Sequence, residues 1–370
     1  MTDDVESILR TMRPVTVGRA RGASVDGGRS VSRTTSRHRF PDSEALAAGL
    51  ASVFRRDGVT RDDVTILDRR PNPFESTFPT EIVACRLDGR RRPLQLFVKY
   101  GTNEFDSVYG HRGNVSYEVR VYREVLEPLR TSTPRFHGAY RGARGSAPWL
   151  IVEYLPGGVP GSWAKDPIAM VRSAEWIGRF HAANEGRVRS PRLKFLRRYD
   201  SEYYRGWARR TRRLFRRLHS KFPWLAPLCG EFERRVPTLL KAPQTVIHGE
   251  YFGSNVVYRH GMSHPVDWQS AAIAAGEVDL ASLTHSWSRD VVQRCERAYV
   301  RGRWPDGEPD GFRETLGVAR IYMSLRWLGD PTYMSSLVTR QGRPVAPRNV
   351  YVAMQAAIHL HSLGERLGLV

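Results

Sequence analysis

The stretch VIHGEYFGSNVVYRHGMSHPVDW, residues 246–268, decides the fold. Two apolar runs, Thr245–Ile247 and Asn255–Tyr258, flank a polar loop, and a third short run ends in Val266-Asp267-Trp268. Glu250, Asn255 and Asp267 therefore fall at strand ends or tight turns, where three oxygen-bearing side chains can share one cleft. Mg²⁺ takes oxygen ligands and holds them alongside phosphates. A carboxylate beside such a cluster is placed to orient and deprotonate a hydroxyl.

Upstream, the chain reads as strand-rich. Val64–Leu67, Glu81–Leu87 and Leu94–Tyr100 alternate or run apolar as strands do, with Asp88-Gly89 as a hairpin turn signal. A helix is expected over Val115–Leu126. Trp149–Leu155 is a further buried strand, broken by Pro156-Gly157-Gly158. Before these, Ser43 is the expected N-cap of a helix carrying Leu46, Leu50 and Phe54 at helical spacing. From Pro167 onward helices dominate: Ile168–Ala182, Trp207–Phe222, Phe312–Leu328 and Val350–Leu367. The whole is an α+β arrangement, a small β-rich lobe followed by a larger helical lobe with a cleft between. The boundaries expected are an unstructured Arg/Gly/Ser-rich segment over 1–42, a β-rich lobe over 43–155 and a helical lobe over 156–370.

Composition bounds the setting. Cys85, Cys229 and Cys295 stand far apart, which argues against a disulfide framework and a zinc site and fits a reducing cytoplasm. No run of about 18 apolar residues suggests a membrane span, and no signal peptide opens the chain. Only five of the 58 basic residues are lysines, so a genome-wide arginine bias accounts for much of the net charge of +20. A nucleic-acid partner is not excluded by that charge.

His248-Gly249-Glu250-x4-Asn255, Asp267-Trp268 and Gly276-Glu-Val-Asp279-Leu-Ala together resemble the catalytic segment of the aminoglycoside phosphotransferase and choline kinase family. That family is a branch of the protein-kinase-like fold. The resemblance implies a bilobal kinase-like fold and transfer of the γ-phosphate of ATP or GTP, with Mg²⁺, to a hydroxyl. It implies Asn255 and Asp267 on the metal, Glu250 facing the acceptor hydroxyl, and His248, His181 and Asp279 as scaffold. Lys99 is the only lysine in the first 164 residues and closes an apolar strand, as the phosphate-binding lysine of this fold does. Glu118 on the next helix is its implied partner, with Glu124 the alternative. The backbone of Glu153, Tyr154 and Leu155 would bond the nucleobase if this strand is the hinge between lobes; a plain core strand fits it equally. Ser76 and Thr77, in the loop between the first two strands, are candidates for the phosphates; a polar hairpin loop fits them equally.

The sequence departs from the family at Glu250, where most members carry Asp. The extra methylene displaces the carboxylate unless the backbone retreats. A nucleotide-binding scaffold with weak or no catalysis is the competing expectation, and an anion- or nucleic-acid-binding protein on the same scaffold is a third. Residues 187–221 hold 14 basic residues against Asp200 and Glu202. That is the wrong sign for a polycationic aminoglycoside. The run is either a solvated face or an attractor for an anionic small molecule or acidic peptide. Tyr203, Tyr204, Trp207 and Arg209 lie within it as candidate substrate contacts or ordinary core. The setting implied is modification of an antibiotic-like metabolite or a peptide precursor.

Overall fold

The computed structural model describes residues 40–55, 58–74, 76–102, 110–142, 146–216, 222–285, 287–330, 360–365 and 368. The expected unstructured segment lies outside them up to residue 39, as do 217–221 of the expected Trp207–Phe222 helix and most of the expected Val350–Leu367 helix.

Helix α1 (Ser43–Phe54) opens the described chain. Its cap is Asp42 rather than Ser43: the Asp42 carboxylate accepts from Ala45 N–H at 2.7 Å. An ionised oxygen at the positive helix end is the stronger cap. Strands β1 (Val64–Pro71), β2 (Thr80–Leu87), β3 (Leu94–Tyr100), β4 (Phe136–Tyr140) and β5 (Trp149–Glu153) form one antiparallel sheet in the order β1-β2-β3-β5-β4. Between β3 and β4 runs helix α2 (Val115–Val121), capped by Asn114 and widened into a π turn over Tyr122–Leu126.

Strand periodicity assigns the sheet's two faces. Leu96, Val98 and Tyr100 of β3 and Val83, Cys85 and Leu87 of β2 pack with Leu46, Leu50 and Phe54 of α1. The alternate residues of β3 and β5, among them Phe97, Leu150 and Val152, join the other core with α2. Lys99 is on that second face.

The helical part follows in chain order: β6 (Val159–Pro160), α3 (Ile168–Glu185), β7 (Arg197–Arg198), α4 (Ser201–Phe215), α5 (Leu225–Lys241), β8 (Gln244–Ile247), β9 (Val256–Arg259), β10 (Met262–Pro265), β11 (Ala272–Ala275), α6 (Glu277–Thr284), α7 (Arg289–Arg303) and α8 (Phe312–Leu328). The predicted face of α3 is the buried one: Met170, Ala174, Ile177 and His181 all face the core. Two small sheets, β10-β9-β6 and β7-β11-β8, carry the loops of the 246–268 segment. No helix among the described residues is long and apolar enough to cross a membrane. All three cysteines are free and buried.

Candidate active site

The outward-alternating position of Lys99 brings its ammonium to two carboxylates. Nζ lies 2.8 Å from Glu118 Oε2 and 2.5 Å from Asp267 Oδ1. Asp267 is 168 residues away in sequence. Glu118, not Glu124, is the partner on α2, and its other oxygen accepts from Trp268 N–H at 3.0 Å. One glutamate thus ties the lysine of the sheet to the backbone of the 267–268 turn. Burial works against the Lys99 charge, but Asp267 and Glu118 outweigh it and hold the ammonium above its ordinary range. Burial pushes the Glu118 carboxyl up, with Lys99 pulling against it. The short ion pair and the Trp268 N–H favour its ionised form.

Asn255 and Asp267 are brought side by side by the β9–β10 hairpin, in which Pro265 pairs with Val256. Val266 N–H, one residue before Asp267, donates to Asn255 O at 2.9 Å. Asp267 sits in the left-handed region, φ 66° and ψ 59°. Asp tolerates this conformation better than most residues, and such strain clusters at functional sites. Asn255 Nδ2 donates to Glu250 O at 2.9 Å, which directs the amide oxygen away from the backbone. Asn255 Oδ1 and Asp267 Oδ2 have no hydrogen bond among the described residues. A carboxylate oxygen and an amide oxygen on adjoining turns fit Mg²⁺, which needs only one or two protein carboxylates when phosphates and water complete its shell.

The loop before Glu250 is held rigidly. Gly249 has φ 81°, and a Cβ there would collide with the carbonyl oxygen of Ser270, so only glycine fits. Asp279, fully buried, accepts from His248 N–H at 2.6 Å and from Gly249 N–H at 2.9 Å. Behind it runs a chain of donors. Arg303 donates to the Tyr299 hydroxyl at 2.6 Å, Tyr299 meets His181 Nδ1 at 3.0 Å, and His181 Nε2 meets Asp279 Oδ2 at 3.2 Å. Burial keeps His181 neutral, so one tautomer satisfies every link, with Nε2–H donating to Asp279. His248 bridges the loops: Nε2 donates to Val266 O at 2.9 Å and Nδ1 accepts from Glu250 N–H at 3.3 Å. Both ring nitrogens of His248 and of His181 are occupied by scaffold bonds.

Glu250 differs from the expectation of a carboxylate open to an acceptor. It is buried, and both its oxygens are engaged. Arg112 forks onto it, with Nη2 at 2.7 Å from Oε1 and Nε at 3.1 Å from Oε2. Arg326 bonds Oε1 from α8 and donates its other terminal nitrogen to Gly249 O at 2.9 Å. Ser270 Oγ donates to Oε2 at 2.8 Å. His111 Nε2 lies 3.9 Å from Oε1. Burial pushes the Glu250 carboxyl up, yet Arg326 and then Arg112 outweigh it and hold it far below the ordinary carboxylate range. The Glu250 side chain reaches from the 248–250 loop into a guanidinium clamp. Arg112, Arg326, His111 and Ser270 carried no local motif. The one signal was Arg326 itself, a charge at helical spacing from Ala319 and Met323 on the apolar face of α8.

The remaining expected residues divide. At the expected hinge, Glu153 N–H and Tyr154 N–H are spent on Arg135 O and Gln95 O, at 2.8 and 2.9 Å, so any contact of these two residues with a base would be through their carbonyls. Leu155 N–H has no backbone acceptor there among the described residues. Ser76 Oγ accepts from Phe78 N–H at 3.4 Å, and Thr77 Oγ1 meets Gln269 Nε2 at 3.4 Å. This loop therefore touches the segment just after Asp267. Tyr204 and Trp207 are fully buried and belong to the core, not to a substrate surface. Tyr203 stacks on Tyr199 at 3.8 Å and meets the Tyr322 hydroxyl at 3.0 Å. Arg209 lines an open groove of about 400 Å³ on α4 with Glu202, Tyr203, Gly206, Arg210 and Arg213.

Comparison with known proteins agrees with this geometry. The profile of the phosphotransferase enzyme family matches residues 111–314, more than half of the chain. No curated protein sequence matches. Among solved structures, a choline kinase from Streptococcus pneumoniae is 14% identical, with 80% of this chain and 94% of that one covered at a TM-score of 0.53. An amicoumacin kinase in complex with AMP-PNP, Ca²⁺ and Ami is 12% identical, with 87% and 96% covered and a TM-score of 0.54. An aminoglycoside 2'-phosphotransferase in complex with GDP is 10% identical, with 85% and 97% covered and a TM-score of 0.56. At such identities the likeness speaks for the fold, while the family match rests on the sequence. The chain therefore belongs to the phosphotransferase enzyme family and has its bilobal, protein-kinase-like fold.

Proposed function

We propose that the chain transfers the γ-phosphoryl group of a nucleoside triphosphate, as its Mg²⁺ complex, to a hydroxyl of a small molecule or peptide. The observation that carries this reading is the convergence of Lys99, Glu118 and Asp267 beside Asn255. Lys99, fixed by Glu118, binds the phosphates. Asn255 and Asp267 hold the metal, which supplies charge neutralisation between phosphates. Leu155 N–H and its flanking carbonyls take the base, and Ser76 and Thr77 cover the phosphates.

In the transfer the acceptor oxygen bonds to the γ-phosphorus as the bridging bond to the β-phosphate breaks. The electron pair leaves with the nucleoside diphosphate, and the hydroxyl proton goes to Glu250 or to water. Phosphoryl transfer has a loose transition state, so positioning and electrostatics dominate over early proton removal. A weakly basic, firmly placed Glu250 is compatible with that demand.

A phosphate-transfer assay with Mg²⁺ and ATP or GTP, read by the mass gain of one phosphate on candidate acceptors, tests the reading. Asp267→Ala should abolish transfer while leaving the fold intact. Full transfer by that variant would overturn the metal assignment.

A further inference from the structure

We propose that the acceptor carries an oxyanion, a carboxylate or a phosphate, beside its reacting hydroxyl, and that Arg112 anchors it next to Glu250. The proposal rests on the phosphotransferase reading above and names the class of acceptor for that site. A narrow cleft of about 20 Å³, room for a single ligand oxygen, lies beside the 248–250 loop and is lined by Arg112, Glu250, Phe252, Arg326, Trp327 and Asp330. Deeper in the same cluster stand His111 and Arg197. The charged groups acting most strongly on the His111 ring are three guanidiniums, those of Arg326, Arg112 and Arg197, against the single carboxylate of Glu250. Asp330 on the cavity wall offsets one of these charges, and an oxyanion at Arg112 meets the remainder.

Two unsatisfied groups point the same way. His111 is 6% exposed, and among the described residues neither ring nitrogen has a hydrogen-bond partner. Arg197 donates one terminal nitrogen to Arg112 O at 2.7 Å, while its buried Nη1 has no acceptor among the described residues. Buried donors without acceptors are rare in folded proteins, and a ligand oxygen is one way to satisfy them. Arg112 is the member that faces outward, with its side chain 32% exposed against 4% for Glu250. Its planar fork matches carboxylate or phosphate geometry, and Glu250 already occupies it as an internal carboxylate. An acceptor oxyanion takes over that fork. Glu250 then keeps Arg326 and Ser270, and its edge released from Arg112 turns to the acceptor hydroxyl.

The test titrates the full chain with inorganic phosphate and, separately, with acetate, by calorimetry, first with saturating AMP-PNP and Mg²⁺ and then without nucleotide. In the loaded protein both probes should bind one to one. Arg112→Gln should weaken that binding at least tenfold, whereas Arg179→Gln, on the exposed face of α3, should leave it unchanged. Arg112→Lys, which keeps the charge and loses the fork, should weaken it as well and covers the case in which Arg112→Gln does not fold. Tighter acetate assigns a carboxylate acceptor, tighter phosphate a phosphorylated one. Failure of the loaded wild type to bind either probe, or binding indifferent to Arg112, overturns the proposal. If AMP-PNP itself does not bind, the kinase reading falls. The nucleotide-free arm still decides the anchor: phosphate binding lost in Lys99→Ala but kept in Arg112→Gln overturns it.

Discussion

At Glu250 the residue is one methylene longer than the aspartate expected from the resemblance, and its carboxylate is held by two guanidiniums and a hydroxyl. Arg326 is buried with Glu250 as its main charge partner. Glu250→Ala therefore leaves an uncompensated guanidinium and should cost about 3–5 kcal/mol in a denaturant titration, besides any loss of transfer. A change within about 0.5 kcal/mol would contradict the clamp. His111 offers a pH-dependent readout. Its ordinary value is 6.5, and burial followed by Arg326 pushes it down to about 2. Between these values the unfolded chain binds a proton that the folded chain refuses. Stability is thus fully present above pH 6.5 and is lost as pH falls through that window, by about 1.4 kcal/mol per pH unit for one such histidine. His111→Gln should flatten the fall in melting temperature between about pH 7 and 5; an unchanged slope would show that His111 titrates normally. Beyond the misplaced charge of Arg326, the sequence did not show the clamp, because Arg112 lies 138 residues from Glu250 and Arg326 lies 76. The motif residues His248, Asn255 and Asp267 stood out because their order and spacing resemble those of a known family.

The elements carry these residues by simple periodicities. Alternation along β3 sends Leu96, Val98 and Tyr100 to α1 and leaves Lys99 facing α2. That division follows from the apolar run, whereas the partner on the next helix was implied by the family resemblance, with Glu118 and Glu124 both open. Cap chemistry was read less well, since Asp42 and Ser43 are adjacent and only geometry separates them. Asp42→Ala should cost about 1 kcal/mol, and Ser43→Ala should cost clearly less, by thermal melting. Helix α6 braces the catalytic loop from below, because Asp279 in its first turn binds two of the loop's N–H groups. Asp279→Asn, which keeps the shape but loses an acceptor and the charge, should lower transfer more than nucleotide binding. Equal loss of both would mean that the lobe has unfolded rather than the loop shifted. Helix α5 had no decisive sequence signal because Pro237 lies inside it and reads as a break, while the apolar stripe of α7 went unread.

Across the molecule, the α+β reading followed from the order of elements, and the meeting of a sheet lysine with a turn aspartate was implied by the family resemblance. What the order could not convey is the state of each group once buried. Trp207 and Tyr204, attractive as stacking platforms in the sequence, went to the core. Glu153 and Tyr154 spent their N–H groups on the sheet. If residues from both lobes surround one metal–triphosphate complex, a crystal of the chain grown with AMP-PNP and Mn²⁺ should reveal it by anomalous scattering. The manganese peak should then be bonded to Asp267 and to Asn255 Oδ1, with Lys99 on the phosphates. A nucleotide bound elsewhere, or a metal peak away from both residues, would contradict the shared site.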